Sequence, residues 1–316
     1  MSDQFALFGR DLFGNEITQR KSGPLAERFE MPPLSVFNVR DGAWQERKRA
    51  WLSLGIKSEE GRTCAGANSW NDLSTNPRAA ESTRKIAAVG DKATIFDPTL
   101  CELVYHWFCP RAGQIVDPFA GGSVRGIVAG LLGYRYHGIE LRPEQVAANA
   151  EQLEQIAHGK PVTWVCGDAA VELPNAPRAD FVFSCPPYGD LERYSDDPRD
   201  LSSMTHAEFL RAYRDIISKA VARLKVDRFA CFVVGDYRDK RSGNYRGFVA
   251  DTVRAFSDAG SELYNDAVLV TAVGSLPLRV GKQFAAGRKL GKTHQNVLLF
   301  VKGDGRKAAN ACGVFQ

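Results

Sequence analysis

The sequence predicts an α/β protein: a mostly parallel sheet with helices on both faces, an antiparallel edge, and an accessory region in front of it. Three observations predict it. After about Asp91, short apolar strands alternate with helical stretches, the pattern that βα units leave in a chain. Phe181, Val182 and Phe183 are apolar without alternation, as a strand covered on both faces requires. Successive strands end in a glycine turn, a carboxylate, or a rigid Cys-Pro-Pro-Tyr, and the carboxyl edge is where open sheets of this kind bind ligands.

Residues 1–90 form the accessory region. They lack sustained periodicity except in AWQERKRAWLSLG, a predicted helix closed by Gly55, and GRTCAGANSWNDLSTNPRAAESTRK reads as loop. Arg47, Lys48 and Arg49 are offset by Asp41, Glu46, Glu59 and Glu60, so charge alone does not tie this region to DNA. Residues 91–302 form the main domain. There TLCELVYHWFC has helical spacing, GQIVDPF is a strand, GSVRGIVAGLLG is a helix closed by Gly133, YRYHGIEL is a strand, and RPEQVAANAEQLEQIA is a helix with Pro143 in its first turn. The strands VTWVCGDA and ADFVFSC follow, then the helix THAEFLRAYRDIISKAVARL, the strand RFACFVVGDY and the helix GFVADTVRAFSDAG. ELYNDAVLVTA and HQNVLLFVKG are the last two strands and the predicted antiparallel edge, and residues 303–316 read as a flexible tail.

With 44% hydrophobic and 25% charged residues among 316, the chain has the composition of an ordinary soluble globular protein with a substantial core. The net charge of +4 is too mild to imply a nucleic-acid partner; its distribution says more. Between Ser275 and Thr293 stand Arg279, Lys282, Arg288, Lys289 and Lys292 with no acid among them, which reads either as a phosphate-contacting loop or as solvated surface. The seven cysteines include no Cys-x-x-Cys pair. Neither a zinc site nor a disulfide framework is expected, and a reducing cytoplasm is the default. Charges interrupt every short apolar run of MSDQFALFGRDLFG, so it does not read as a signal peptide, and no apolar stretch is long enough to span a membrane.

The chemistry concentrates at the strand ends. VDPFAGGSVRG puts Asp117 at a strand end and Gly121 and Gly122 before a helix, where the backbone can approach a ligand and a helix N-terminus favours anionic groups. Glu140 ends the next strand, where a carboxylate can accept both hydroxyls of a ribose. Asp168, after the strand that follows, can accept from an adenine amino group. Each acid alone would also suit a helix N-cap or plain surface. At the fourth strand end, Pro186 and Pro187 stop the ladder and hold Cys185 extended. Two further segments reach the same edge: GDLERYSDDPRDLSSMTHAEF, with Asp190, Glu192 and Tyr194 as either pocket lining or solvated connection, and GDYRDKRSGNYRG, with Asp236, Arg238, Lys240 and Arg241.

As a series, these motifs resemble the S-adenosylmethionine-dependent DNA methyltransferases of the amino-methylating (N4-cytosine or N6-adenine) type, over roughly Thr94 to Lys302. The resemblance implies a Rossmann-like methyltransferase fold, S-adenosylmethionine as cofactor, double-stranded DNA as partner and no metal. It implies that Asp117, Phe119, Gly121 and Gly122 line the methionine part of the cofactor, with Phe96 and Asp97 on the same side, Glu140 at the ribose and Asp168 at the adenine. Ser184, Cys185, Pro186, Pro187 and Tyr188 would form the catalytic tip, His294 matches a histidine often found in the terminal strand, and Arg279, Lys282, Arg288, Lys289 and Lys292 would meet DNA. The tip departs from the family pattern, which has Asp, Asn or Ser where this chain has Cys185. Three explanations stand: backbone carbonyls suffice, Ser184 substitutes, or Cys185 is a nucleophile for methylation at cytosine C5. RNA guanine and protein glutamine methyltransferases share a similar tip; the basic segment favours a nucleic acid over a protein. A non-catalytic DNA-binding module is disfavoured by the presence of Asp117, Glu140 and Asp168 together.

Overall fold

Strand and helix boundaries fall where proline, glycine and short polar side chains dictate. The computed structural model describes residues 24–57, 65–66, 96–271, 273 and 276–314. In chain order the strands are β1 (Val36–Asn38), β2 (Ala65–Gly66), β3 (Gln114–Asp117), β4 (Arg135–Glu140), β5 (Val162–Cys166), β6 (Ala179–Ser184), β7 (Glu192–Arg193), β8 (Leu224–Val234), β9 (Glu262–Val270) and β10 (His294–Lys302). The helices are α1 (Pro24–Phe29), α2 (Gly42–Ser53), α3 (Pro98–Phe108), α4 (Val124–Leu131), α5 (Pro143–Ile156), α6 (Ala169–Glu172), α7 (His206–Arg223), α8 (Phe248–Asp258), α9 (Pro277–Gly287) and α10 (Gly305–Cys312). The chain divides into a small unit, residues 1–34 with 314–316, and a large one, Ser35–Gly313. Of the small unit, α1 is the described helix; all that follows concerns the large unit.

Its sheet runs β1-β9-β10-β8-β6-β3-β4-β5 among the described residues. β5, β4, β3, β6 and β8 are parallel; β10 lies antiparallel between β8 and β9. The expected α/β fold with its antiparallel edge is therefore the observed one. From β3 the chain builds outward through β4 to β5, then returns to start β6 on the other side of β3. That reversal opens a crevice at the carboxyl ends of β3 and β6.

The odd and even positions of β6 and β8 serve opposite faces. On one, Phe183 meets Tyr105 of α3 at 5.3 Å and Phe229 meets Phe108 at 5.4 Å. On the other, Phe232 meets Phe256 of α8 at 4.9 Å, and Phe256 stacks on Phe300 of β10 at 3.8 Å. All six residues of β6 are buried, which explains the apolar run Phe181, Val182, Phe183 at its centre. Helix starts are locally encoded: Asp97 accepts from the Thr99 N–H ahead of Pro98, and Thr205 and Glu208 form a reciprocal capping box on α7. Gly133, at φ +85°, follows α4, as expected from the sequence.

Three expectations are corrected. Within the expected flexible tail of residues 303–316, Gly305–Cys312 is instead a helix on β8 and β10, with Ala308 fully buried and Asp304 capping its first turn. Part of the expected accessory region joins the main sheet, because β1 pairs in parallel with β9 and α2 packs on α3. A strand of three residues is too short to announce itself by periodicity. The basic segment is not all loop, since Pro277 opens α9 and its Leu, Gln, Phe and Ala residues sustain it despite Gly281. The expected loop between residues 61 and 85 lies outside the described residues, apart from the short β2. Among the described residues no helix is long and apolar enough to cross a membrane.

If α10 belongs to the core, removing residues 304–316 should lower Tm by about 5 °C or more, because a domain of this size loses roughly 2–4 °C per kcal/mol. Unchanged thermal unfolding would return those residues to a tail.

Candidate active site

The crevice is built around one carboxylate. Asp117 ends β3 with no exposed surface. Its Oδ1 accepts from the Phe119 N–H at 3.1 Å and from Ser184 Oγ at 2.5 Å. Its Oδ2 accepts from Arg125 Nε at 2.6 Å and from the Tyr136 hydroxyl at 2.7 Å. Arg125, itself buried, also donates to the Phe119 and Ala120 carbonyls and lies 4.7 Å from the Phe96 ring centre. Burial opposes its charge, but Asp117 outweighs that and the guanidinium pKa is raised. The Tyr136 hydroxyl is pushed up by burial and by the same carboxylate, so it stays a donor. The Asp117 carboxylate is thus engaged by four protein donors and holds the glycine turn from behind.

The turn itself is braced from its other side. Gly121, at φ +52°, sits in the left-handed region that glycine enters without strain. Its N–H donates to Glu140 Oε2 at 3.0 Å, and its carbonyl accepts from Asn149 Nδ2 at 2.7 Å. Gln145 donates to Asn149, Arg142 to Gln145, and Ser123, just past buried Gly122, to Gln152. Gln145, Asn149 and Gln152 share one face of α5 and are buried. Phe119 turns its ring toward Tyr213 and Phe232 in the core.

Glu140 stands at the end of β4, its Oε1 accepting from the Arg142 N–H at 3.0 Å. Asp168, at the end of β5, is half-buried and caps α6 through the Ala170 N–H at 2.8 Å. Both carboxylates belong to the same sheet edge as the turn. Asp97 is drawn elsewhere: besides capping α3, it accepts from Trp44 Nε1 at 3.2 Å and pairs with Lys48 at 3.0 Å, fastening α2. Phe96 packs edge-on against Phe183 at 5.7 Å, beside Arg125.

At the end of β6, Ser184 is buried and its hydroxyl is spent on Asp117 and the Phe119 N–H. Ser184 is therefore not the group presented at the tip. Cys185 is half-buried, with Sγ 3.8 Å from the Tyr188 hydroxyl. Pro186 is buried and Pro187 half-buried. Tyr188 OH also accepts from Gln295 of β10 at 2.6 Å, and burial together with Cys185 pushes its pKa well up. Gly189, at φ +53°, leaves no room for a side chain against the Tyr237 hydroxyl, which fixes the exit from the tip. Downstream, Asp200 accepts from Ser195 and Ser202, and Ser202 from the Tyr194 N–H. The side chains of Asp190, Glu192 and Arg279 lie outside the described set.

Of the remaining basic residues, Lys292 reaches the tip. Lys292 is half-buried near Tyr188 and Gly235, with Nζ 3.4 Å from His294 Nε2; burial lowers its pKa, and burial with Lys292 lowers that of His294. Lys282 and Arg288 are exposed and Lys289 half-buried. No cluster able to hold a metal ion occurs among the described residues.

Arg125 and Tyr136 were not read from the sequence. One signal was available for Arg125: a lone charge in the apolar helix VRGIVAGL, a short distance after a strand-end Asp. The amide face of α5 imitates a solvated polar stripe, and nothing local announces Gln295.

No family model matches the chain, and no curated protein matches it. Solved structures give partial likenesses. TrmN of Thermus thermophilus aligns at 14% identity and TM-score 0.43 over 66% of this chain and 49% of its own, so the chain spans about half its length. A candidate RNA methyltransferase of Pyrococcus horikoshii aligns at 16% identity and TM-score 0.46 over 82% of this chain and all of its own. Magnesium protoporphyrin IX methyltransferase of Synechocystis, with bound SAM, aligns at 14% identity and TM-score 0.42, covering 74% of this chain and 90% of that one.

Asp117→Ala should strand the Arg125 charge and cost about 3–5 kcal/mol of stability in urea unfolding, whereas adding Arg125→Met should recover part of the loss. Wild-type stability of the single variant would contradict the buried pairing.

Proposed function

We propose that the protein is an S-adenosylmethionine-dependent methyltransferase acting on the exocyclic amine of a nucleic-acid base, DNA being the substrate that the sequence resemblance implies. One observation carries the reading: the glycine turn and the Cys-Pro-Pro-Tyr tip end adjacent strands at the sheet's reversal, joined by the Asp117–Ser184 hydrogen bond of 2.5 Å. A donor-binding turn and an acceptor-binding tip must be neighbours for methyl transfer.

The residues present fit that cofactor by the chemistry of their donor set. A carboxylate, Glu140, suits a ribose diol; Asp168 suits an amino group; and the turn before α4 presents no side chain at Gly121, so a ligand can approach its backbone. Gly121, Gly122, Glu140 and Asp168 would hold the cofactor, with Phe119 and Asp117 acting through the turn. When bound, it supplies an electrophilic methyl group on a sulfonium.

The chain's own residues then do the aligning. An exocyclic amine is a weak nucleophile because its lone pair is delocalised into the ring. Acceptance of its hydrogens at the tip, by the Pro186 carbonyl and weakly by Cys185, frees that lone pair to point at the methyl group. Tyr188, positioned by Gln295, offers its ring to the base. The cofactor would give up its methyl group and keep the electron pair of the broken bond on sulfur, and the amine's surplus proton would pass from the tip to solvent. Because Ser184 is committed to Asp117, the thiol and backbone remain as the acceptors.

Glu140→Ala should abolish cofactor binding in calorimetry while leaving the circular dichroism unchanged; normal affinity would remove Glu140 from the ribose. Cys185→Ser should keep methylation activity on nucleic acid, followed as transfer of labelled methyl groups and located by nucleoside mass spectrometry. A dead serine variant, with the wild type trapped covalently on 5-fluorocytosine, would replace this reading with methylation at cytosine C5.

A further inference from the structure

Next to the tip stands a ridge made by two segments, the hairpin of residues 236–247 and the stretch from Leu276 to Thr293. The hairpin is fixed by backbone bonds from Asp239 N to the Asn244 carbonyl at 2.9 Å and from Arg246 N to the Tyr237 carbonyl at 2.9 Å. Both of its acids are engaged locally. Asp236 accepts from the Tyr237, Gly247 and Phe248 N–H groups, and Asp239 pairs with Arg246. Lys240 and Arg241 remain exposed beside Arg238, and the second segment contains no acid at all.

The two segments touch. Lys289 packs so closely on Gly243 that a side chain there would collide with its ammonium, and Lys292 Nζ lies 5.9 Å from the Tyr245 ring centre. Lys292 also lies beside Gly235, which adjoins Tyr188, so the ridge is continuous with the tip. Arg238 donates to the Gly243 carbonyl at 3.0 Å, which holds its guanidinium 3.9 Å over the Tyr245 ring. Tyr245 is nevertheless 46% exposed, and Phe284, with Arg288 at 5.3 Å, is 42% exposed.

Cations alone would suit any polyanion. Rings left open among them suit one whose bases are accessible, because a duplex offers phosphates outside and hides its base faces. Resting on the nucleic-acid reading above and narrowing it, we propose that this ridge binds an unpaired stretch of nucleic acid flanking the target base. Lys289, Lys292 and Arg288 meet its phosphates, and the Tyr245–Arg238 pair stacks a neighbouring base.

Fluorescence anisotropy with short labelled single strands of DNA and of RNA, and with the matching duplexes, over a range of salt concentrations, tests this on the full chain. Single strands should bind at least about tenfold more tightly than duplexes, the tighter of the two identifying the source. Tyr245→Ala should weaken that binding about tenfold, the scale of one base stack, without changing its salt dependence, and Tyr245→Phe should retain it. Lys289→Met with Lys292→Met should instead lower the salt slope by about 0.7 for each phosphate no longer neutralised. Equal or tighter duplex binding, no binding to either strand, or a Tyr245→Ala variant that binds normally would overturn the inference. Cofactor calorimetry on the same samples separates the two levels: cofactor binding without strand binding sinks the ridge alone, and its absence sinks the methyltransferase reading.

Discussion

A carboxylate at the end of a central strand, removed from water, has to be answered by donors, and at Asp117 the answer organises everything around it. Its four partners come from four places: the turn after β3, the start of α4, β4 and the end of β6. A buried pair of this kind adds little net stability against an apolar replacement, yet is costly to break. What it contributes is placement. Arg125 draws in two turn carbonyls while Ser184 ties the tip to the same anion, so the two halves of the crevice are positioned by one group.

The two halves differ in how they are supported. The glycine turn is gripped on both sides, by Arg125 and by the Glu140–Gln145–Asn149 set, which suits a surface that must meet the same small ligand each time. The tip rests on less: Gln295 and Cys185 on Tyr188, and the fit of Gly189 against Tyr237. Beyond it the surface opens into basic and aromatic side chains. A fixed side beside an open one is the asymmetry that the proposed methyl transfer to a nucleic acid would call for.

The sheet and most helices were legible because their signals are local. An apolar run bounded by prolines gave β6, and Pro143 and Gly133 bounded helices as expected. The site was legible only as positions along the strand ends. Which of its residues face a ligand was not, since Asp97 and Asp117 look like surface acids in sequence while their carboxylates are claimed by Trp44, Lys48 and Arg125 from other segments. The same limit hid β1, which exists only because β9 is there to pair with it, and α9, where repeated glycines masked a helix.

Hydrogen–deuterium exchange of Asp117→Asn against the wild type tests the shared anchor most directly. The amide keeps the volume of the carboxylate but can no longer serve all four donors. Exchange should rise in both the 118–123 turn and the 184–188 tip, with α7, α8 and β10 unchanged. Wild-type protection in either segment would mean that the turn and the tip are held independently, and that Asp117 does not organise the site.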